Sequence, residues 1–282
     1  MPWSFRLGDR VVDLTSRTLV MGILNRTPDS FYDRGTTFEL DALIRRAEDL
    51  AGLGADLFDV GGVKAGPGPE VGEAEELDRV VPAIAALHGR VDMPISVDTW
   101  RSSVLDEACR AGAVVGNDIS GFGDPDYLGV AAAHGASVVA THIRLQPRVP
   151  DPEPQYADLL GEVTAFLVDR ARQAEAAGLV PEQIAIDAGL DLGKTPEMSA
   201  SLLRDSDALA GLGYALLLSA SNKRFLGELL GLEIDDRRDA SLAAVAYGVA
   251  HGCRIVRVHD VAGSVQVCRT VEAVLAAERR AS

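Results

Sequence analysis

Short apolar runs recur along the chain, and each of them ends at a polar side chain. The first run, over residues 18–24, stops at Asn25 and is followed by a polar loop that contains Pro28. Buried parallel strands are continuous apolar runs, and proline is excluded from their interior. This segment therefore predicts a strand that delivers Asn25 to a surface. The pattern recurs, and the polar terminators fall at residues 25, 59, 98, 117, 142, 187, 219 and 257.

Segments with helical periodicity separate these runs. We predict helices over residues 41–53, 73–87, 102–111 and 127–134, a long helix ending at 177, and further helices over 199–210, 240–250 and the C-terminus. About eight strand–helix units in roughly 250 residues are typical of a (β/α)8 TIM barrel, whose active sites lie at the C-terminal rim of the strands. A doubly wound open sheet also alternates strand and helix, but it does not predict a polar terminator on every strand.

The N-terminal segment breaks this alternation. Residues 3–14 alternate apolar and polar positions around Leu7-Gly8-Asp9-Arg10, which predicts a short β-hairpin. Such a hairpin is placed to plug the bottom of the barrel. No linker, repeat or low-complexity segment divides the sequence, so residues 1–282 are expected to form a single barrel domain.

Composition narrows the classes of partner. The 282 residues carry a formal net charge of −15, which argues against non-specific binding to nucleic acid or to an anionic membrane. No apolar run is as long as a membrane span, and the start lacks the apolar core of a signal peptide. The three cysteines are far apart and without metal-ligand spacing, so a cytoplasmic protein with reduced thiols is expected.

The residues at and just after the strand ends suit a particular ligand. Amides and carboxylates that converge in a cleft can bind a flat heterocycle, since a carboxylate accepts two adjacent N–H donors. The convergent set is Asn25, Asp59, Asp98, Asn117, Asp187, Lys223 and Arg257. Cations in the same loops indicate an anionic group on that ligand: Arg26, Lys64, Lys194, Lys223, Arg224 and Arg257.

Each member of this set also has a purely structural alternative. Asn25 and Asn117 could terminate strands or form Asx turns, and Asp98 before a threonine could cap the next helix. Asp187 could serve a turn, and Arg257 could form a rim salt bridge with Asp260. The functional interpretation depends on the ensemble and not on any single residue.

Several motifs together resemble those of the dihydropteroate synthase family. The signature-like stretch over residues 21–31 is followed, in order and at family-like spacing, by Asp59-Val60-Gly61-Gly62, Ser96-Val97-Asp98-Thr99, Asn117-Asp118-Ile119-Ser120-Gly121, Asp187-Ala188-Gly189, Gly193-Lys194-Thr195, Ser221-Asn222-Lys223 and Arg257-Val258-His259-Asp260. The resemblance spans nearly the whole chain. It implies a barrel in which a pterin pyrophosphate and para-aminobenzoate condense with release of pyrophosphate.

The resemblance also implies roles for individual residues. Asp98, Asn117, Asp187 and Lys223 would hold the pterin, and Asp59 would complete the substrate site. Asn25 would bind Mg²⁺ near the pyrophosphate, whose oxygens Arg257 and His259 would bind. Asp98, Lys223 and Arg257 are the candidate catalytic residues. A homodimer is expected from the resemblance alone.

The sequence departs from the family on one side of the expected site. Where the family has Glu-Ser-Thr-Arg-Pro-Gly, this chain has Val63-Lys64-Ala65-Gly66-Pro67-Gly68, so the threonine and arginine that close on the second substrate are absent. Leu192 replaces the phenylalanine that packs on the aminobenzoate ring, and Asn222, between Ser221 and Lys223, replaces an arginine. The altered second-substrate positions are therefore Lys64, Ala65, Gly66, Leu192, Ser221 and Asn222.

This uneven pattern leaves three hypotheses. The chain is a pterin-binding paralogue with weak, absent or redirected synthase activity, or it is a fully active dihydropteroate synthase. The third hypothesis is a folate-dependent methyltransferase, against which the loop over residues 25–31 argues.

Overall fold

The computed structural model describes residues 4–26, 40–66 and 70–281. The second half of the signature-like stretch, residues 27–31, lies outside the described residues, as do residues 67–69 of the altered loop. No helix in the described part of the chain has an apolar stretch long enough to cross a bilayer.

Eight parallel strands close into a barrel, as the sequence predicts. They are β3 (Leu19–Asn25), β4 (Leu57–Gly61), β5 (Ile95–Asp98), β6 (Val115–Asp118), β7 (Ser137–Thr141), β8 (Ile184–Asp187), β9 (Ala215–Leu218) and β10 (Ile255–Val258). Their order around the barrel is β10-β3-β4-β5-β6-β7-β8-β9. The TIM-barrel prediction is confirmed, and the open-sheet alternative is wrong because β10 pairs with β3.

Helices surround the barrel on the outside. They are α1 (Leu40–Gly52), α2 (Glu73–His88), α3 (Ser102–Ala111), α4 (Tyr127–His134), α5 (Leu159–Ala176), α6 (Pro196–Arg204), α7 (Ser206–Ala210), α8 (Arg224–Leu230), α9 (Arg238–Ala250) and α10 (Val261–Ala281). The outward-facing strand residues pack against them, as Val20, Phe58 and Val97 do, all without solvent exposure.

Two details of the helix prediction are wrong. The single helix expected over residues 199–210 is two helices, α6 and α7, which meet at Asp205. The sequence analysis also has no counterpart of α8, which comprises seven residues after Lys223. Two turns of helix are too short to show a clear apolar period, so their existence depends on caps and on tertiary contacts.

The N-terminal hairpin is also present. Strands β1 (Ser4–Leu7) and β2 (Arg10–Asp13) pair antiparallel, and Phe5, Leu7 and Leu14 share a buried cluster with inward-facing barrel residues such as Met21 and Ile255. Full burial of one such side chain stabilises the fold by about 1.5–3 kcal/mol. The hairpin therefore fills the barrel interior below the rim, as predicted.

Candidate functional site

Strand register aligns the first part of the site. Asn25 is paired with Gly61, Gly61 with Asp98, and Asp98 with Asn117, so one level of four adjacent strands carries three of the expected polar residues. Side chains alternate between the two faces of a strand. Asn25, Asp98 and Asn117 therefore face the barrel interior at the C-terminal rim.

Arg257 forms hydrogen bonds to Asp98 at this level and to Asp59 at the level below. Its Nε donates to Asp59 Oδ2 over 2.5 Å, and Nη2 donates to Asp98 Oδ2 over 2.8 Å. Asp59 also accepts hydrogen bonds from Ser96 Oγ over 2.6 Å and from Asn117 Nδ2 over 3.1 Å. Asp59 has no solvent exposure. Its carboxylate thus anchors Arg257 and Asn117, and its role toward a substrate stays a prediction.

Opposing influences set the pKa of Asp98. Burial raises the pKa of Asp98 to about 7, although the neighbouring Arg257 guanidinium opposes the shift. The negative charges of Asp59 and of buried Glu76 add to the rise. A carboxyl group with a pKa near neutrality exchanges its proton readily at physiological pH, which is a frequent property of binding and catalytic carboxyl groups.

Asp187 and Lys223 reach the same site from the opposite side of the barrel. Asp187 Oδ1 accepts the Gly189 N–H over 2.8 Å, and Gly189 has φ +64° with no room for a Cβ beside the His142 carbonyl oxygen. Burial raises the pKa of Asp187, against the Gly189 N–H and the Lys223 charge. The charge of Lys223 also acts on Asp98. Asp98, Asn117, Asp187 and Lys223 are therefore brought together at one mouth.

A second polar cluster lies beside Arg257. The Nδ1 atom of His259 lies 2.9 Å from Ser221 Oγ. Ser221 Oγ also accepts the His259 backbone N–H over 3.2 Å. Burial lowers the pKa of His259 to about 3, and the positive charges of Arg257 and Lys223 reinforce this. His259 is thus a neutral hydrogen-bonding group, and Arg257 and Lys223 carry the positive charge near it.

The loop after β4 contains the altered positions Lys64, Ala65 and Gly66 and lies at the edge of the rim. Arg79 donates to the Gly62 carbonyl oxygen over 2.7 Å, and Arg148 donates to the Lys64 carbonyl oxygen over 3.5 Å. Among the residues that the structure describes, no atom lies within 4 Å of a Cβ placed on Gly66. These residues therefore leave space for the first atom of a side chain at position 66. Asn222, which also stands where the family has an arginine, has φ +58°.

Lys194 is more central than the sequence analysis suggests. It reads there as a loop cation, yet its side chain is almost fully buried, and Nζ donates to the carbonyl oxygens of Gly189 and Leu192 over 2.9 Å each. Nζ also lies 2.9 Å from His142 Nδ1. Burial lowers the pKa of Lys194 to about 7 and that of His142 to about 3. One feature of the composition could have singled out Lys194. The 27 basic residues, Lys and Arg together, include only three lysines, at positions 64, 194 and 223, and all three follow barrel strands.

The side-chain oxygens at the rim suit a Mg²⁺ ion that takes most of its coordination from a bound phosphate and water. The described residues contain no group of three or more His, Cys, Asp or Glu side chains that could bind a metal by themselves. Mg²⁺ commonly takes one or two protein oxygens and completes its shell with phosphate and water. The amide oxygen of Asn25, at the end of β3, fits that limited contribution.

Comparisons with known proteins agree with the motifs. Residues 21–259 match the model of the family described as pterin binding enzyme. The chain is 40% identical over 270 residues to the dihydropteroate synthase of Synechocystis sp., covering 95% of this chain and 93% of that protein. It is 41% identical over 268 residues to the inactive dihydropteroate synthase 2 of Mycobacterium leprae, covering 92% and 91% of the two chains.

The fold agrees equally well with a solved structure. The crystal structure of the Yersinia pestis dihydropteroate synthase, a complex with a sulfonamide drug, superposes with a TM-score of 0.92 at 36% identity and covers 97% of this chain and 99% of that one. The match of the family model, the extent of the similarity and the shared barrel lead to one conclusion: this chain is a member of the dihydropteroate synthase family of pterin-binding barrels.

Proposed function

We propose that this chain binds a dihydropterin pyrophosphate at the C-terminal rim but condenses it with para-aminobenzoate weakly or not at all. The observation that carries the proposal is the contrast between two sides of the site. Buried charged groups surround Asp98, Asn117, Asp187 and Lys223, whereas neither Ala65 nor Gly66 carries a guanidinium of its own.

On the pterin side, the carboxylate forms of Asp98 and Asp187 would each accept ring N–H groups, and the Asn117 amide would match an edge with both a donor and an acceptor. Asp59 and Asp98 hold Arg257 through Nε and Nη2. A guanidinium has five N–H donors, so the others can face the departing pyrophosphate. Mg²⁺, when bound near Asn25, would neutralise part of the pyrophosphate charge.

On the second-substrate side, the expected loss can be given a size. A hydrogen bond to a charged group contributes about 1.5–3 kcal/mol, or about tenfold to a hundredfold in rate or affinity. Lys64 lies two residues before Gly66 and can supply charge, but an ammonium lacks the planar fork of a guanidinium. Sequence identity does not distinguish the two outcomes, because this chain is 40% identical to a relative named dihydropteroate synthase and 41% identical to one named inactive dihydropteroate synthase 2. The loop chemistry favours the weakened synthase.

The deciding experiment measures pyrophosphate release from dihydropterin pyrophosphate with Mg²⁺, in the presence and absence of para-aminobenzoate. We expect binding by calorimetry together with slow or no release. Release that is fast and requires aminobenzoate would identify a fully active synthase, and absence of binding would refute the proposal. Asp98→Asn should weaken binding, and the exposed Asp158→Asn serves as the matched control.

Two further parts of the proposal concern the cellular setting. We infer that the protein is cytoplasmic and forms a homodimer through its outer helices, as the family resemblance implies. Sedimentation of the purified chain at micromolar concentration tests the second point, and a monomer would refute it.

A further inference from the structure

Asp191 ties two rim loops together. It lies in the loop after β8, and its carboxylate accepts the Arg224 N–H over 2.6 Å at Oδ2 and the Phe225 N–H over 3.1 Å at Oδ1. These are the first two N–H groups of α8, which have no partner within the helix itself. The residue at the N-cap position, Lys223, provides no side-chain cap. The cap of α8 thus comes from a different loop.

The connection is reinforced in the reverse direction. Lys223 Nζ donates to the Leu190 carbonyl oxygen over 3.1 Å, one residue before Asp191. The Asp191 N–H donates to Ser199 Oγ over 3.1 Å, which fastens the loop to α6. Lys223 is therefore held at its side chain by Leu190 and next to its backbone by Asp191.

The backbone at position 191 supports a specific role. Asp191 has φ +68°, in the left-handed region that is unfavourable for residues with a Cβ, although Asp and Asn tolerate it better than most. Glycine would adopt the same conformation without strain. Asp191 thus combines an unfavourable backbone conformation with two hydrogen bonds that glycine cannot make.

We propose that Asp191 is a positioning residue that fixes Lys223 for the ligand. The proposal rests on the function proposed above, since it takes a dihydropterin pyrophosphate as that ligand. The charge of Lys223 acts on both Asp98 and Asp187, so a displaced Lys223 changes the pterin-binding edge at both carboxylates. Asp191 itself is not required to touch the ligand.

The test compares two helix caps of the same chemistry. Asp158 caps α5 by accepting the Gly161 N–H over 3.1 Å, so Asp158→Ala removes a helix cap without altering the contacts of Lys223. We expect both Asp191→Ala and Asp158→Ala to lower Tm, and Asp191→Ala to lower it more because it loses two hydrogen bonds. Only Asp191→Ala should weaken binding of dihydropterin pyrophosphate with Mg²⁺, by about fivefold to tenfold in Kd, the size of one lost cap.

Two more variants separate the cap from backbone strain. Asp191→Gly relieves the strain but leaves the two N–H groups of α8 without the carboxylate, so it should bind as weakly as Asp191→Ala. Asp191→Asn keeps one oxygen acceptor and tolerates the conformation, so it should recover much of the affinity. Equal Kd values for Asp191→Ala and Asp158→Ala, or an Asn variant no better than Ala, would overturn the proposal.

A readout without ligand keeps the two proposals distinguishable. Amide hydrogen exchange at Arg224 and Phe225 should accelerate in Asp191→Ala and remain unchanged in Asp158→Ala. If the unsubstituted protein fails to bind the pterin, the proposed function fails, and exchange alone then decides whether Asp191 restrains this segment. Unaltered exchange in Asp191→Ala would refute the restraint.

Discussion

Removal of the Arg257 side chain is the most informative perturbation of the site. Arg257→Met keeps much of the side-chain volume but leaves Asp59 and Asp98 without their cation. Asp59 has no solvent exposure, and the side chains of Asp98 and Arg257 are only 13% and 17% exposed. Removing one partner of such a buried pair costs about 3–5 kcal/mol, because the remaining charge is uncompensated. Since domains are stable by only about 5–15 kcal/mol, this is a large fraction of the total.

Urea denaturation at pH 8 measures this loss. The matched control is Arg204→Met, because Arg204 also donates two hydrogen bonds to carboxylate oxygens, in this case both of Asp205 and each over 2.8 Å, but is 67% exposed. An exposed pair of this kind contributes about 0–1 kcal/mol. Arg257→Lys should lose an intermediate amount, since it keeps the charge and loses the fork.

The pH dependence of the loss identifies its cause. Without Arg257 the pKa of Asp98 should rise further above 7, so the folded variant holds a proton that the unfolded chain releases. Because the folded state then binds more protons, stability falls as the pH rises. The cost of Arg257→Met should therefore be larger at pH 8 than at pH 6. A pH-independent loss no larger than that of Arg204→Met would refute the ion-pair account.

Three other outcomes are expected. In the unsubstituted protein, the raised pKa of Asp98 should lower the free energy of unfolding as the pH rises from about 4 to about 7. Asp98→Asn should lack this pH dependence when urea midpoints are measured across the same range. Identical pH profiles for the two proteins would contradict the expectation. Ala65→Thr combined with Gly66→Arg should raise kcat/KM with aminobenzoate by about tenfold to a hundredfold, because it supplies the two side chains that the loop lacks. A Cβ at Gly66 meets no atom of the described residues within 4 Å. Unchanged pyrophosphate release would contradict the loop account. Lys194→Met should cost about 2 kcal/mol, because it removes hydrogen bonds to the buried carbonyl groups of Gly189 and Leu192. Burial lowers the pKa of Lys194 to about 7, so the substitution should also abolish a rise in stability between pH 7 and 9. Tm values at these two pH values measure the effect, and a rise that persists would count against it.

The fold was predictable because barrel strands carry a strong signal. Each strand is buried on both faces, so its apolar run is continuous, and each run ended at a polar residue that belongs to the common rim. The hairpin was readable for a related reason, since Phe5 and Leu7 alternate with polar residues. Helix ends were less predictable: α7 and α8 are short, and the cap of α8 comes from Asp191, more than thirty residues earlier in the chain.

The site was predictable as a set of residues but not as a network. Sequence spacing brought Asp98 and Asn117 to the rim, yet it could not show that Arg257 bonds to Asp59 and Asp98, because that contact depends on barrel closure between β10 and β3. The contacts that bury Lys194 could likewise not be predicted, since its acceptors at Gly189 and Leu192 are backbone carbonyl oxygens. Such contacts follow from loop conformation and not from residue identity.

The N-terminal hairpin has a consequence for the order in which the protein is made. Residues 4–13 leave the ribosome before any barrel strand does, but the surface that receives Phe5 includes Ile255 of the last barrel strand. Contacts between such distant parts of a chain slow folding, because a long loop must close before they form. The hairpin therefore cannot reach its final position until the last barrel strand has been made. Until then, Phe5 and Leu7 lack part of the surface that buries them in the folded protein.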